Sequence, residues 1–182
     1  MTEELQVLTM VAGRLEAAGI PYMLTGSFAA NFYAVPRMTR DIDFVVGLSP
    51  GDVDRFCALF EGDFYLDRNA VRAAVTDRGA FNLIHQAYVI KVDFIVRKET
   101  DYRRVEFARQ RRGSIEGCGL AIVAPEDLII SKLDWTKETR SEVHLTDVRN
   151  LLRSVPDLDT QYLAHWIERL GLGRLYQEAL GD

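Results

Sequence analysis

Asp41 and Asp43 are the residues of this chain whose type and spacing are best suited to chemistry. They stand in the run Asp-Ile-Asp-Phe-Val-Val over residues 41–46, which is typical of a β-strand. Side chains alternate along a strand, so both carboxylates lie on one face, about 7 Å apart. Two ionised carboxylates repel each other, and oxygen ligands suit Mg²⁺ or Mn²⁺. The pair therefore predicts a metal site; the alternative is a capped strand start or an exposed edge face.

A third acid, Asp93, lies at the centre of a second apolar run, Tyr88 to Val96. An unpaired carboxylate buried in such a strand is costly. If the two strands are neighbours, three carboxylates converge and can share metal ions that activate an attacking hydroxyl and hold a triphosphate. The alternative is a salt bridge with Lys91 or Arg97, which share the face of Asp93.

Gly26 and Ser27 supply a candidate phosphate site. They follow a short apolar strand candidate and precede a helical segment, so backbone N–H groups and the positive end of a helix dipole face one point. The glycine permits a close approach, and the serine offers a hydroxyl. Taken alone, the dipeptide is equally typical of an ordinary strand-to-helix turn.

Together these residues resemble the nucleotidyltransferase superfold of DNA polymerase β-like enzymes. The pattern is Thr25-Gly26-Ser27, a thirteen-residue gap, Asp41-Ile-Asp-Phe44, and a later acid within Val92-Asp93-Phe94. The phrase Pro-Arg-Met-Thr-Arg-Asp-Ile-Asp over residues 36–43 and the segment 125–128 are most similar to small bacterial abortive-infection and toxin–antitoxin nucleotidyltransferases.

The resemblance implies a site and a reaction. The reaction is transfer of a nucleoside monophosphate from an NTP to an acceptor hydroxyl of RNA or protein, with release of pyrophosphate. The implied metal ligands and catalytic residues are Asp41, Asp43 and Asp93, with Mg²⁺ or Mn²⁺ as the cofactor. The implied nucleotide-binding residues are Gly26, Ser27, Arg40 and Lys132. A cognate partner protein is a further expectation.

Other functions fit the same residues. One is transfer to a small molecule of the aminoglycoside type, which an acidic acceptor cleft would favour. Another is a catalytically silent, nucleotide-binding partner protein, which would bind NTP without releasing pyrophosphate. A purely structural domain would bind no NTP with Mg²⁺.

The composition limits the remaining possibilities. The 182 residues are 48% hydrophobic and 27% charged, ordinary values for a globular protein, and the net charge of −5 excludes a global basic field for nucleic acid. Cys57 and Cys118 have no metal-ligand spacing, which favours packing in a reducing compartment. Neither a basic, apolar leader nor a run of about 20 apolar residues is visible, so we expect a cytoplasmic protein without membrane contact.

The hydrophobic pattern predicts an α/β (α+β) fold with a mixed sheet flanked by helices and a helical C-terminal region. The expected division is a core over residues 1–124 and helices over 125–182 packed on it. Within the core we expect a hairpin over residues 81–96 and a single strand from Ile115 to Val123.

Several polar residues are expected to be structural rather than functional. Lys137 and Asp147 are predicted on helix surfaces. The three histidines, His85, His144 and His165, have no ligand spacing. Five arginines could bind RNA phosphates, but a solvated, salt-bridged surface is the favoured interpretation; they are Arg103, Arg104, Arg109, Arg111 and Arg112.

Overall fold

A mixed seven-stranded sheet forms the centre of the computed structural model, which describes residues 1–181. The predicted α/β (α+β) class is confirmed. The strands are β1 (Tyr22–Thr25), β2 (Ile42–Val46), β3 (Phe64–Tyr65), β4 (Ala80–His85), β5 (Ile90–Val96), β6 (Arg111–Ile115) and β7 (Cys118–Ile122). Their order across the sheet is β3-β4-β5-β2-β1-β7-β6, so β3 and β6 form its two ends.

Nine α-helices lie within residues 1–181, and one 3₁₀ turn, Pro50–Asp52, precedes the third of them. The helices are α1 (Glu3–Ala17), α2 (Gly26–Tyr33), α3 (Val53–Phe60), α4 (Arg68–Asp77), α5 (Asp101–Ala108), α6 (Pro125–Thr139), α7 (Glu142–Ser154), α8 (Thr160–Arg169) and α9 (Gly173–Leu180). The described part of the chain contains no helix that is long and apolar enough to cross a membrane.

The strand register places the three predicted acids in one part of the sheet. β2 runs parallel to β5, and Asp43 lies directly opposite Asp93. β1 runs antiparallel to β2, and Thr25 lies opposite Asp43. The end of β1 and the start of α2 therefore lie beside Asp43, near the start of β2.

An aromatic cluster fills the other face of the same strands. Phe44 and Phe94 stack with ring centroids 5.8 Å apart, and Phe56 of α3 packs edge-on against Phe94 at 5.2 Å. Because side chains alternate, these rings point away from the face that carries Asp43 and Asp93. Aromatic packing thus fixes β2 and β5 from behind while the acidic face stays polar.

The helical region packs directly on the sheet-bearing part. Helix α6 is buried along most of its length, and the side chains of Leu128, Ile129, Ile130 and Leu133 belong to the same apolar core as the strands. Helix α2 contacts both α6 and α7. This apolar core is continuous across residue 124. The predicted division at that residue stays a prediction.

One element departs from its prediction. Instead of a single strand over 115–123, residues 111–122 form the β6–β7 hairpin, whose turn is Glu116-Gly117. Both turn residues have positive φ, 51° and 80°. Glycine adopts this conformation freely. The two positive φ values reverse the chain at a point where the apolar pattern alone predicted that one strand would continue.

Candidate active site

Asp43 and Asp93 form the centre of the candidate site. They are a directly opposed pair on β2 and β5, and both are only partly accessible. Burial, followed by the negative charges of Asp93 and Asp41, raises the pKa of Asp43 to about 6. A carboxyl held in this state gains from any cation placed beside it.

Asp41 and Lys91 form the outer side of the same site. Asp41 precedes β2, and its side chain is 68% exposed. The Lys91 ammonium lies 2.7 Å from an Asp93 carboxylate oxygen and 4.0 Å from one of Asp41. The salt-bridge alternative for Asp93 therefore forms with Lys91, whereas Arg97 pairs with Glu99.

The fit of these carboxylates to a divalent ion is partial. Across residues 1–181, no three Asp, Glu, His or Cys side chains are gathered closely enough to form a metal cage. The donor chemistry nevertheless suits Mg²⁺ or Mn²⁺, since all three groups are carboxylates and Asp43 carries an unfavourable charge when ionised. Asp41, Asp43 and Asp93 would hold such an ion, and Lys91 now pairs with Asp93.

Gly26 brings the backbone at the start of α2 against the Asp43 side chain. Its φ is +66°, and a Cβ atom placed on it would lie 2.0 Å from the Oδ2 atom of Asp43. Helix α2 begins here without a side-chain cap. The preceding Thr25 hydroxyl is buried and has no hydrogen-bond partner among the described residues. The helix start thus presents uncapped N–H groups, which suit a phosphate, beside the carboxylates.

Ser27 is contacted by an arginine from the loop that leads to β2. The Nη2 atom of Arg37 donates to the Ser27 hydroxyl at 2.5 Å. The same guanidinium donates to both carboxylate oxygens of Asp147 on α7, at 2.8 and 3.0 Å. The prediction that Asp147 lies on a helix surface is wrong, since Asp147 is 3% exposed and points towards the site.

Lys132 lies beneath the site rather than at its surface. It is 0% exposed, and its Nζ atom donates to the Oδ2 atom of Asp147 at 2.9 Å. Burial lowers the pKa of Lys132, while Asp147 and Asp43 act in the opposite direction. Direct contact between Lys132 and a triphosphate stays a prediction, and it would require the ammonium to leave Asp147.

Arg40 and Met38 line a groove formed by α2 and the loop that leads to β2. Arg40 is exposed, and Met38 is 92% exposed. The groove has a volume of about 760 Å³ and a mainly apolar lining. Phe28, Phe32, Met38 and Ile115 supply apolar surface, and Arg37, Arg40, Glu4 and Glu116 supply charge.

The five arginines considered for RNA are all paired with acids, as the salt-bridge interpretation predicted. Arg103 is the most enclosed and contacts Glu106, Ser131 and Asp134. The remaining pairs are Arg104–Glu99, Arg109–Asp127, Arg109–Glu126, Arg111–Glu126 and Arg112–Glu16. These guanidinium groups are therefore occupied within the fold.

Solved structures match this architecture, although no family model and no curated protein matches the chain. An antigenic nucleotidyltransferase-like protein from Paracoccidioides brasiliensis superposes with a TM-score of 0.55 at 19% identity, covering 98% of this chain and 92% of that one. The antibiotic-resistance factor ANT(2'')-Ia gives 0.59 at 17%, covering 97% and 96%. The lincosamide antibiotic adenylyltransferase LnuA, with lincomycin bound, gives 0.55 at 12%, covering 84% and 96%.

Proposed function

We propose that this chain, which has the nucleotidyltransferase fold, is a metal-dependent nucleotidyltransferase. It moves a nucleoside monophosphate from an NTP to an acceptor hydroxyl and releases pyrophosphate. The proposed metal ligands are Asp41, Asp43 and Asp93, and the proposed phosphate-binding groups are at Gly26 and Ser27.

The contact between Gly26 and Asp43 carries the proposal. A side chain at position 26 would overlap the Asp43 carboxylate, so the uncapped start of α2 lies directly against Asp43. A triphosphate that reaches the N–H groups of α2 is then beside the carboxylates. This juxtaposition serves phosphoryl transfer, which depends mainly on positioning and charge neutralisation.

Each residue then has a defined task. The N–H groups at the start of α2, the Ser27 hydroxyl and the Arg37 guanidinium bind phosphate oxygens. The oxygen of the acceptor hydroxyl bonds to the α-phosphorus, and Asp93 accepts the proton that this hydroxyl loses. The bond from the α-phosphorus to the bridging oxygen breaks, and pyrophosphate leaves. When bound to the three aspartates, Mg²⁺ would neutralise charge on the phosphates.

Two observations favour a small-molecule acceptor over RNA. The arginines considered for RNA are each paired with an acid, so the positive charge that they present is offset by neighbouring carboxylates. The groove beside Arg37 is mainly apolar and carries both acidic and basic groups, which suits a compact amphipathic molecule. Two of the similar folds belong to an antibiotic-resistance factor and an antibiotic adenylyltransferase, and we extend that acceptor class to this chain.

A label-transfer assay tests this function. The protein is incubated with Mg²⁺ and each α-labelled NTP in turn, together with small RNAs, proteins, aminoglycosides and lincosamides. We expect label in the small-molecule fraction with the wild type, and none with the double variant Asp41→Ala/Asp43→Ala. Asp77→Ala, which removes an exposed acid at the end of α4, is the matched control and should retain transfer.

The outcomes separate the alternatives. Label in RNA or protein would restore the acceptor that the sequence first indicated and would reopen a toxin–antitoxin role. NTP binding without transfer to any acceptor would indicate a silent nucleotide-binding partner. Failure to bind any NTP with Mg²⁺ or Mn²⁺ would overturn the proposed function.

A further inference from the structure

The Asp147 carboxylate is shared by two cations at the base of the candidate site. It accepts two hydrogen bonds from Arg37 and one from Lys132, all between 2.8 and 3.0 Å. Although burial acts to raise the pKa of Asp147, its contacts with Arg37 and Lys132 lower it overall. The carboxylate is therefore ionised at neutral pH and fully engaged in ion pairing.

The two cations have different environments. Lys132 is completely buried, and while it is paired with Asp147 it serves as an internal counter-charge. The Arg37 side chain is 34% exposed and contacts Ser27 at the start of α2. If Lys132 were removed, Arg37 and the buried Asp147 carboxylate would be left to balance each other. Of the three side chains, Arg37 is the one that a ligand can contact.

The backbone of Arg37 is held independently of its side chain. The Asn31 side chain, on α2, accepts from the Arg37 N–H at 3.0 Å and donates to the Arg37 carbonyl at 2.7 Å. Asn31 thus fixes the position of the Arg37 backbone, and Asp147 fixes the position of the Arg37 guanidinium. A long, flexible arginine side chain is restricted at both ends, which lowers the entropy lost when it binds an anion.

We propose that Asp147 is a positioning residue that holds the Arg37 guanidinium against Ser27, so that Arg37 binds the triphosphate. The inference rests on the proposed function and deepens it, because it makes α7 part of the phosphate site. Asp147 touches no substrate and acts only through Arg37. Asp147→Asn should therefore weaken phosphate binding, and it should do so only when Arg37 is present.

A double-mutant cycle on phosphate affinity tests the proposal. The probes are ATP and inorganic tripolyphosphate, each with Mg²⁺, titrated into the full chain by calorimetry. Arg37→Gln and Asp147→Asn should each raise the tripolyphosphate Kd about tenfold or more, the scale of a lost charge-assisted contact. The combined variant should bind no more weakly than Arg37→Gln alone. Glu142→Gln, an exposed acid at the start of α7, is the matched control and should bind as the wild type does.

A second design covers loss of the fold. Asp147→Asn leaves the Lys132 ammonium buried without its partner, which is strongly destabilising. If circular dichroism shows that this variant is unfolded, Lys132→Met/Asp147→Leu replaces the buried pair with apolar volume and leaves Arg37 unanchored. That variant should fold and show the same tenfold loss, again absent on an Arg37→Gln background.

The outcomes distinguish this inference from the proposed function. If the wild type binds both probes and the Asp147 variants bind equally well, Asp147 is only structural and the inference is overturned. The same holds if the losses at Arg37 and Asp147 add fully. If the wild type binds neither probe, the proposed function fails and this inference fails with it.

Discussion

Gly26 illustrates how one residue type can be required by a neighbour distant in sequence. Its positive φ disfavours any other residue, and its contact with Asp43 excludes even a methyl group. The sequence shows the glycine as part of a turn. It does not show that the turn abuts a carboxylate seventeen positions later, because that depends on the β1–β2 register.

Gly26→Ala should abolish activity without unfolding the protein. We expect at least a hundredfold loss of nucleotidyl transfer and a loss of about 2 kcal/mol in the free energy of unfolding, because the methyl group displaces Asp43 and strains the backbone. Transfer assays and urea denaturation measure the two effects. Gly13→Ala, in the middle of α1 with open space around it, is the control and should keep full activity.

Asp43 should make the metal-free protein less stable as the pH rises. The pKa of this carboxyl is about 6 in the folded state and near 4 when unfolded, so the folded state binds more protons between these values. Its stabilising contribution is complete below about pH 4 and is lost as the pH passes through 6.

The variant Asp43→Asn tests this pH dependence. In EDTA at pH 8 it should be more stable than the wild type by about 3 kcal/mol, since about two pKa units are removed. Urea denaturation across pH 4–8 gives the comparison. Equal stability of the two proteins at pH 8 would show that Asp43 ionises without penalty.

The ion-paired trio of Arg37, Lys132 and Asp147 is the part of the candidate site that the sequence did not reveal as a unit. The types and spacing of Gly26, Asp41 and Asp43 indicate chemistry from sequence, because a short motif fixes them on one strand and its neighbouring turn. Asp147 lies more than a hundred residues from Arg37, so no local motif links the two residues. An acid on the apolar side of α7, four residues before Leu151, was the one available signal.

At the scale of elements, hydrophobic periodicity predicted helices and strands well wherever a turn signal separated them. It failed over residues 115–123, where a single strand was predicted although the chain reverses at Glu116 and Gly117. A non-glycine residue with positive φ leaves no mark in a hydrophobic pattern. The hairpin predicted over residues 81–96 is present over residues 80–96, because two strand-like runs stand on either side of Gln86 and Ala87.

Val89, in the turn between β4 and β5, is a strained position in that hairpin. Its φ is +53° and its side chain is 78% exposed, so a β-branched residue occupies the left-handed region with little packing in return. Val89→Asn should raise the free energy of unfolding by about 1 kcal/mol, because asparagine tolerates this conformation.

Thermal denaturation should show the gain at Val89 as a rise of about 2–4 °C in Tm. Val143→Asn is the control, since Val143 is also exposed but lies in helix α7. It should show no gain. A similar rise in both variants would mean that removing exposed apolar surface, rather than relieving strain at residue 89, is responsible.

At the scale of the whole molecule, the helical region is expected to be indispensable. A fragment of residues 1–124 would expose the core face that α6 covers and would lose the Asp147 anchor of Arg37. We predict that this fragment shows no cooperative urea transition by far-UV circular dichroism, whereas the full chain does. A cooperative transition in the fragment would establish the division at residue 124 as a true domain boundary.

The two ends of the sheet have a consequence for aggregation. An open edge strand offers unpaired backbone groups to which a strand of another molecule can add. Here one edge, β3, is only two residues long, and the other, β6, begins with the charged side chains of Arg111 and Arg112. Short length and charge are both features that discourage strand addition. The short β3 and the charged β6 thus limit the addition of strands from other molecules, while the site is built on the interior strands.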